Sequence, residues 1–246
     1  MQSSANRKAN ATHQRWKLLK ILLFAAAAIG ALADYRQGFW LQRFLPLPAL
    51  DTSVSAPWFL DSRLAALRQN GDLCPKVLKR PISSFIAVAD QPYKDGCGWK
   101  HAVNLKSAAG SRLPTNTMTC EMAAAFSMWM EHSAQTEAER IFNSRVVSVD
   151  FLGSYACRNI VGNSLWQAFR SQHATANAID ASGFTLANGT VISVKRDWHG
   201  EPAKSKFLHA IHDGACRYFR VVLSPDYNSA HHDHFHVDRG YLRTCK

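Results

Sequence analysis

The spacing of apolar residues changes along this chain, and each change predicts a different element. From Ile21 to Ala33 thirteen residues carry no charge and are mostly apolar, with no polar face between them. From about Thr119 to Phe142 the pattern is helical: Met122, Ala125, Phe126, Trp129 and Met130 recur at three- and four-residue intervals, which predicts one long helix with a core-facing stripe. The period then shortens to two. Arg145 to Phe151 alternates through Val147, Val149 and Phe151, and Ala178–Leu186 and Thr190–Lys195 flank Asn188-Gly189, the strongest short hairpin signal. Cys216–Leu223 and His234–Asp238 predict further strands, while Leu60–Arg68 and Ala203–His212 predict short helices. Residues 74–98 are rich in turn formers. A long helix ahead of a strand-dominated half predicts an α+β fold, with a small antiparallel sheet packed against helices.

The N-terminal apolar run changes the picture of where the chain works. Five basic residues and no acid precede Asp34, and the run ends in Ala31-Leu32-Ala33, as a signal peptide does. The competing reading is a retained membrane anchor. Thirteen residues span only about 20 Å of a hydrocarbon core ~30 Å thick, so an anchor must extend back through Leu18 and Leu19. On either reading residues 34 onward are exported, into the periplasm or cell envelope, with the N-terminus as a possible inner-membrane attachment. Residues 34–57, with Pro46, Pro48 and Pro57, read as a linker or arm, and one domain is expected over 58–246. Six cysteines, none in a C-x-x-C pair, fit an exported, disulfide-supported domain. Fifteen pairings are open to six cysteines.

Composition excludes little beyond that. The formal charge of +11, from 29 basic and 18 acidic residues, falls to +6 once the five basic residues of the leader are set aside. This is ordinary for a soluble domain and gives no case for nucleic acid.

The histidines carry the candidate chemistry. Seven of the eleven follow residue 195, four of them in His231-His232-Asp233-His234-Phe235-His236. On a strand His234 and His236 share a face. Upstream, Ser171-Gln-His173 leads into a strand containing Asp180. His173, Asp180 and His236 together would make the three-ligand, one-open-position set of a catalytic zinc site. Trp198, after Lys195-Arg196-Asp197, reads either as a sugar-groove aromatic or as a core residue. Asp226 and Asp238 are candidates for orienting ligand histidines and stand outside the ligand set.

The segment S-x-H-x6-D followed by a late H-x-H resembles the zinc peptidases grouped with lysostaphin, D-Ala-D-Ala carboxypeptidases and the murein endopeptidase. More widely, Gly153-Ser-Tyr-Ala-Cys-Arg-Asn159, His173-Ala-Thr-Ala-Asn-Ala-Ile-Asp180, Asp213-Gly-Ala-Cys216, Leu223-Ser-Pro-Asp-Tyr-Asn228 and Asp233-His-Phe-His236 resemble the bacterial extensin-like family over about residues 58–246. The peptidase resemblance implies one zinc ion per chain on His173, Asp180 and His236. It implies a hydrogen bond from His234 to the metal-bound water or the tetrahedral oxyanion, His231 as a further catalytic histidine, Ser171 behind the ligands, and Arg158 against a substrate carboxylate. Two departures stand out: Ala176 occupies the position of a motif glycine, and no glutamate lies near the late histidines. The second favours the endopeptidase branch, in which histidine serves as base. The resulting expectation is a zinc hydrolase of peptidoglycan stem peptides. The alternatives are a wall-binding module that keeps the fold without turnover, and an envelope structural protein with incidental histidines.

Overall fold

The computed structural model describes residues 2–37, 44, 47–79, 81–162 and 164–246. Helix α1 (Gln2–Gln37) is unbroken and runs well past both ends of the uncharged stretch. Its segment His13–Arg36, 24 residues, is long and apolar enough to cross a membrane. At 1.5 Å per residue it reaches about 36 Å, against a hydrocarbon core of ~30 Å. The thirteen-residue count fell short because it stopped at Lys20, whose long stem can stay with the apolar face.

Pro46 of the expected arm lies outside the described residues. Beyond it the chain is strapped to the domain: Leu50 and Thr52 are buried. Arg63 Nε donates to Pro48 O at 2.9 Å, a His132 ring nitrogen bonds Thr52 O at 2.8 Å, and Tyr218 Oη–H donates to Ser55 O at 3.0 Å. Helix α2 (Leu60–Gln69) buries Leu64, Ala65 and Leu67, and a single turn, α3 (Cys74–Val77), follows.

Residues 83–119 form six short strands: β1 (Ser83–Ala87), β2 (Gln91–Lys94), β3 (Cys97–Trp99), β4 (Ala102–Ala108), β5 (Ser111–Arg112) and β6 (Met118–Thr119). Helix α4 (Cys120–Trp129) continues through a π turn (Met130–Ala134) into α5 (Gln135–Phe142). Thr119 caps it, its Oγ1 accepting from Met122 N at 3.2 Å. Every residue of α4 is buried, so the predicted stripe is one side of a wholly enclosed helix. Strands β7 (Val146–Gly153), β8 (Ala178–Leu186) and β9 (Val191–Ser193) follow. Helices α6 (Val194–Asp197) and α7 (Pro202–Ala215) precede β10 (Val221–Leu223), β11 (Phe235–Asp238) and β12 (Thr244–Cys245).

The main sheet runs β1-β4-β5-β7-β8-β11-β10-β12, with β6 added to β4 and β9 to β8. The fold is α+β, but the sheet is larger than expected and mixed, because β5–β7 and β10–β12 pair in parallel. The additional strands β1, β4, β5 and β6 come from residues 83–119, of which β5 and β6 are only two residues long, while β2 and β3 pair in a separate two-stranded sheet. Strand β10 starts five residues later than the expected Cys216, since α7 and a turn occupy Pro202–Tyr218.

Three disulfides tie the chain: Cys74–Cys120, Cys97–Cys157 and Cys216–Cys245. A buried ionic cluster joins α2, α4 and the chain after β11. Arg239, fully buried, donates to Glu121 Oε1 at 2.9 Å and to Asp61 Oδ1 at 2.7 Å. Arg68 Nε donates to Glu121 Oε2 at 2.7 Å, and Arg220 makes a two-pronged pair with Asp61 at 3.1 and 3.0 Å. Burial alone would raise the Asp61 carboxyl, but the guanidinium groups of Arg239 and Arg220 outweigh it and hold it down at about 2.

Candidate metal centre

Strands β8 and β11 are antiparallel neighbours, and their register sets Asp180 directly opposite His236. Facing residues of such a pair are about 4.5–5.5 Å apart, so the two side chains meet on one face of the sheet. The third group arrives on a 3-10 turn (Gln172–Thr175) just before β8. Ser171 caps that turn, its Oγ accepting from His173 N at 3.3 Å.

Three donor atoms converge. His173 Nε2 lies 3.1 Å from Asp180 Oδ1 and 3.2 Å from His236 Nδ1, and the last two are 3.0 Å apart. All three residues are buried, and together they form a group able to hold a metal ion. Outer partners decide what those atoms present. His173 Nδ1 faces the carbonyl of Ser154 at 3.3 Å, and a carbonyl only accepts, so Nδ1 carries the hydrogen and Nε2 keeps its lone pair. His236 Nε2 faces Asp238 Oδ2 at 3.1 Å, which by the same reasoning turns the Nδ1 lone pair inward.

Two imidazole lone pairs and a carboxylate oxygen therefore aim at one point. A proton relieves one edge of that triangle; a divalent cation relieves all three. With bonds of about 2.0–2.1 Å, a tetrahedral zinc site has ligand–ligand edges of about 3.3–3.4 Å. The triangle here is within a few tenths of an ångström of that, so the residues fit zinc. Without an ion, His236 takes up the strain. Burial lowers its pKa, but the Asp180 and Asp238 carboxylates prevail and raise it to about 9. Asp180, for which burial acts upward, is held far below the usual carboxylate range by His173 and His236.

His234 and His231 stand at the rim of this centre. His234 Nδ1 pairs with Asp233 Oδ1 at 2.9 Å, and its Nε2 is 3.4 Å from Asp180 Oδ1. His231 Nδ1 donates to Asn228 Oδ1 at 2.7 Å, leaving Nε2 as its basic nitrogen. Its pKa drops to about 4, first through burial and then through its neighbours His236 and His234, so it is neutral at pH 7. Both line a cleft of about 210 Å³ that also exposes Asp180 and His236. Arg158, Ser171, Ile160, Trp166 and Tyr241 are among its other walls.

Asp238, a candidate from the sequence for orienting a ligand histidine and kept outside the ligand set, is the partner of His236. Two residues along the same strand, it shares that side chain's face, and this spacing was the available signal. Ser154, Asn228 and the chain Thr119–Asn177–Gln172, bonded at 2.8 and 3.1 Å, carry no sequence signature. Trp198 is a core residue, not a groove aromatic: it is buried against His209 and Phe235 and donates to Asp226 at 2.8 Å. Asp226 therefore serves Trp198 and His199, not a ligand histidine.

Fold and site together define a disulfide-tied α+β domain with a buried two-histidine, one-carboxylate centre at the foot of a cleft. The chain belongs to the family described as extensin-like protein C-terminus, whose model matches residues 72–246, from just after α2 to the last residue. No curated protein and no solved structure matches it.

Proposed function

We propose that this protein is an exported, zinc-dependent hydrolase of peptidoglycan, cutting a peptide bond in stem peptides or cross-links as an endopeptidase. The observation that carries this reading is the convergence of His173 Nε2, His236 Nδ1 and Asp180 Oδ1, lone pairs inward, beside an open cleft. The resemblance of the two segments to zinc peptidases of the wall supplies the substrate class. The paired cysteines and the N-terminal apolar helix support export into the periplasm.

Held by these three residues, zinc would supply Lewis acidity and a nucleophile at neutral pH. The chain's own groups do the rest. His234, oriented by Asp233 through Nδ1, has Nε2 next to the ligand oxygen, where the ring can stabilise the oxyanion of a carbonyl under attack when both its nitrogens carry hydrogen. His231, neutral and fixed by Asn228, can take a proton and return it to the leaving amine. Arg158 offers a guanidinium to a substrate carboxylate from the same cleft.

The test is metal content and turnover on the same samples. About one zinc per wild-type chain is expected, lost in His173→Ala and Asp180→Ala, with peptides released from purified sacculi. His234→Ala should keep its zinc and lose on the order of 10²–10³ in rate. Zinc with no released product would instead favour a wall-binding domain. No zinc after reconstitution would end the hydrolase reading.

A further inference from the structure

Arg220 is a hub between three segments. Its Nη2 donates to the carbonyl of Arg36, at the end of α1, at 3.2 Å. Its Nε and Nη2 hold Asp61, in the first turn of α2. Its Nη1 donates to the carbonyl of Gly240 at 3.0 Å, and Gly240 lines the cleft. One guanidinium thus separates the end of the candidate membrane span from the wall of the metal cleft.

Each of the three segments carries large exposed apolar side chains within a few residues of the one that bonds Arg220. Leu32 is exposed near the end of α1, Trp58 (85%) and Phe59 (62%) immediately precede α2, and Tyr241 and Leu242 follow Gly240. Single exposed apolar residues need no explanation, but aromatic residues gathered where a span leaves the domain are what a membrane interface selects. Arg243 adds a cation there: its side chain is 63% exposed and reaches Asp61 only at 3.9 Å, leaving it suited to lipid phosphate. The possible cleavage site points the same way. Ala31-Leu32-Ala33 lies inside α1 and ends three residues before the docked Arg36.

We propose that α1 is retained as a membrane anchor, and that the patch of Trp58, Phe59, Tyr241, Leu242 and Arg243 rests in the phospholipid interface. The mouth of the metal cleft is thereby held at the bilayer surface. The site's reach is then limited to material next to the membrane. This goes beyond the hydrolase reading and does not depend on it.

The test uses the full chain expressed in a bacterial host. Its membrane fraction is washed with alkaline carbonate and the mass of the protein recovered there is measured. The same protein is then reconstituted into phosphatidylethanolamine–phosphatidylglycerol vesicles, with plain lipids or with lipids brominated near the headgroup. The emission of Trp58 is read as the difference between wild type and Trp58→Phe, a variant at a position too exposed to disturb the core. The expected result is a chain that retains α1, stays in the washed membrane, and loses most of the Trp58 emission in brominated vesicles. A chain beginning near residue 34, or a Trp58 component equally bright in both vesicles, would overturn the proposal. Zinc content is unaffected by either outcome, so this failure is distinguishable from failure of the catalytic reading.

Discussion

Glu121 gives the sharpest test of how the chain after β11 is held to α2 and α4. It sits in the first turn of α4 with no solvent exposure, and its two oxygens accept from Arg239 and Arg68 at 2.9 and 2.7 Å. Glu121→Gln preserves shape and one acceptor but removes the charge and turns an N–H group toward a guanidinium. One charge-assisted hydrogen bond is worth about 1.5–3 kcal/mol, and stripping one partner from a buried ion pair costs about 3–5 kcal/mol. Arg239 still has Asp61 at 2.7 Å, which puts the expected loss near the low end, about 3 kcal/mol. At 2–4 °C per kcal/mol for a domain this size, the melting temperature should fall by roughly 6–12 °C. The assay is thermal and urea unfolding with the disulfides intact. Adding Arg239→Met removes the uncompensated cation, so the double variant should lose less than the sum of the single losses. A loss under about 1 kcal/mol for Glu121→Gln, or strict additivity in the double variant, would refute the account of this cluster as a coupled buried network.

Three further outcomes follow from the same geometry. Asp61 is held at about 2, below its ordinary 3.8, so the stability it contributes is complete above about pH 4 and is lost as pH falls toward 2. At most about 2 kcal/mol is involved, and Asp61→Asn should flatten that part of an acid-unfolding curve. Asp238 uses one oxygen for His236 Nε2 and the other for Gly240 N at 2.8 Å. Asn can accept on only one, so Asp238→Asn should weaken zinc binding about 10–100-fold in a chelator competition. Ala176→Gly should change stability by no more than about 1 kcal/mol and leave zinc affinity unaltered, since relief of a left-handed backbone offsets the loss of a buried methyl and of chain stiffness.

The sequence made the second half of the fold legible because its strands are long or flanked by strong turns. Ala178–Leu186 matches its strand to the residue, and the long helix falls within one residue of its expected start. In the first half the expected helix Leu60–Arg68 matches α2 to within a residue, but the strands were opaque. Strands such as β5 and β6 are two residues long, and their place in the sheet is decided by partners far away in sequence. The candidate donor group of His173, Asp180 and His236 was legible because its members lie on a period-two strand and a short histidine–aspartate segment. What could not be read is what gives those donors their direction. The carbonyl of Ser154 acts on His173 through a tertiary contact and leaves no local pattern.

The departure at Ala176 shows how a motif position can be reinterpreted once its backbone is known. From sequence, alanine in place of the motif glycine is a departure that adds a methyl group where the backbone makes its approach. The residue ends the turn that carries His173 with φ 52° and ψ 30°, a left-handed conformation that costs a non-glycine residue about 1–2 kcal/mol. Its side chain is fully buried, and it is not among the walls of the cleft. Its carbonyl accepts from Thr119 N at 2.8 Å, and its N–H donates to His173 O at 3.1 Å, so the conformation is imposed by the cap of α4 on one side and the ligand turn on the other. Glycine is favoured there because the turn needs positive φ, not because the chemistry needs space. The substitution therefore bears on stability and gives no reason to prefer a wall-binding domain over a hydrolase.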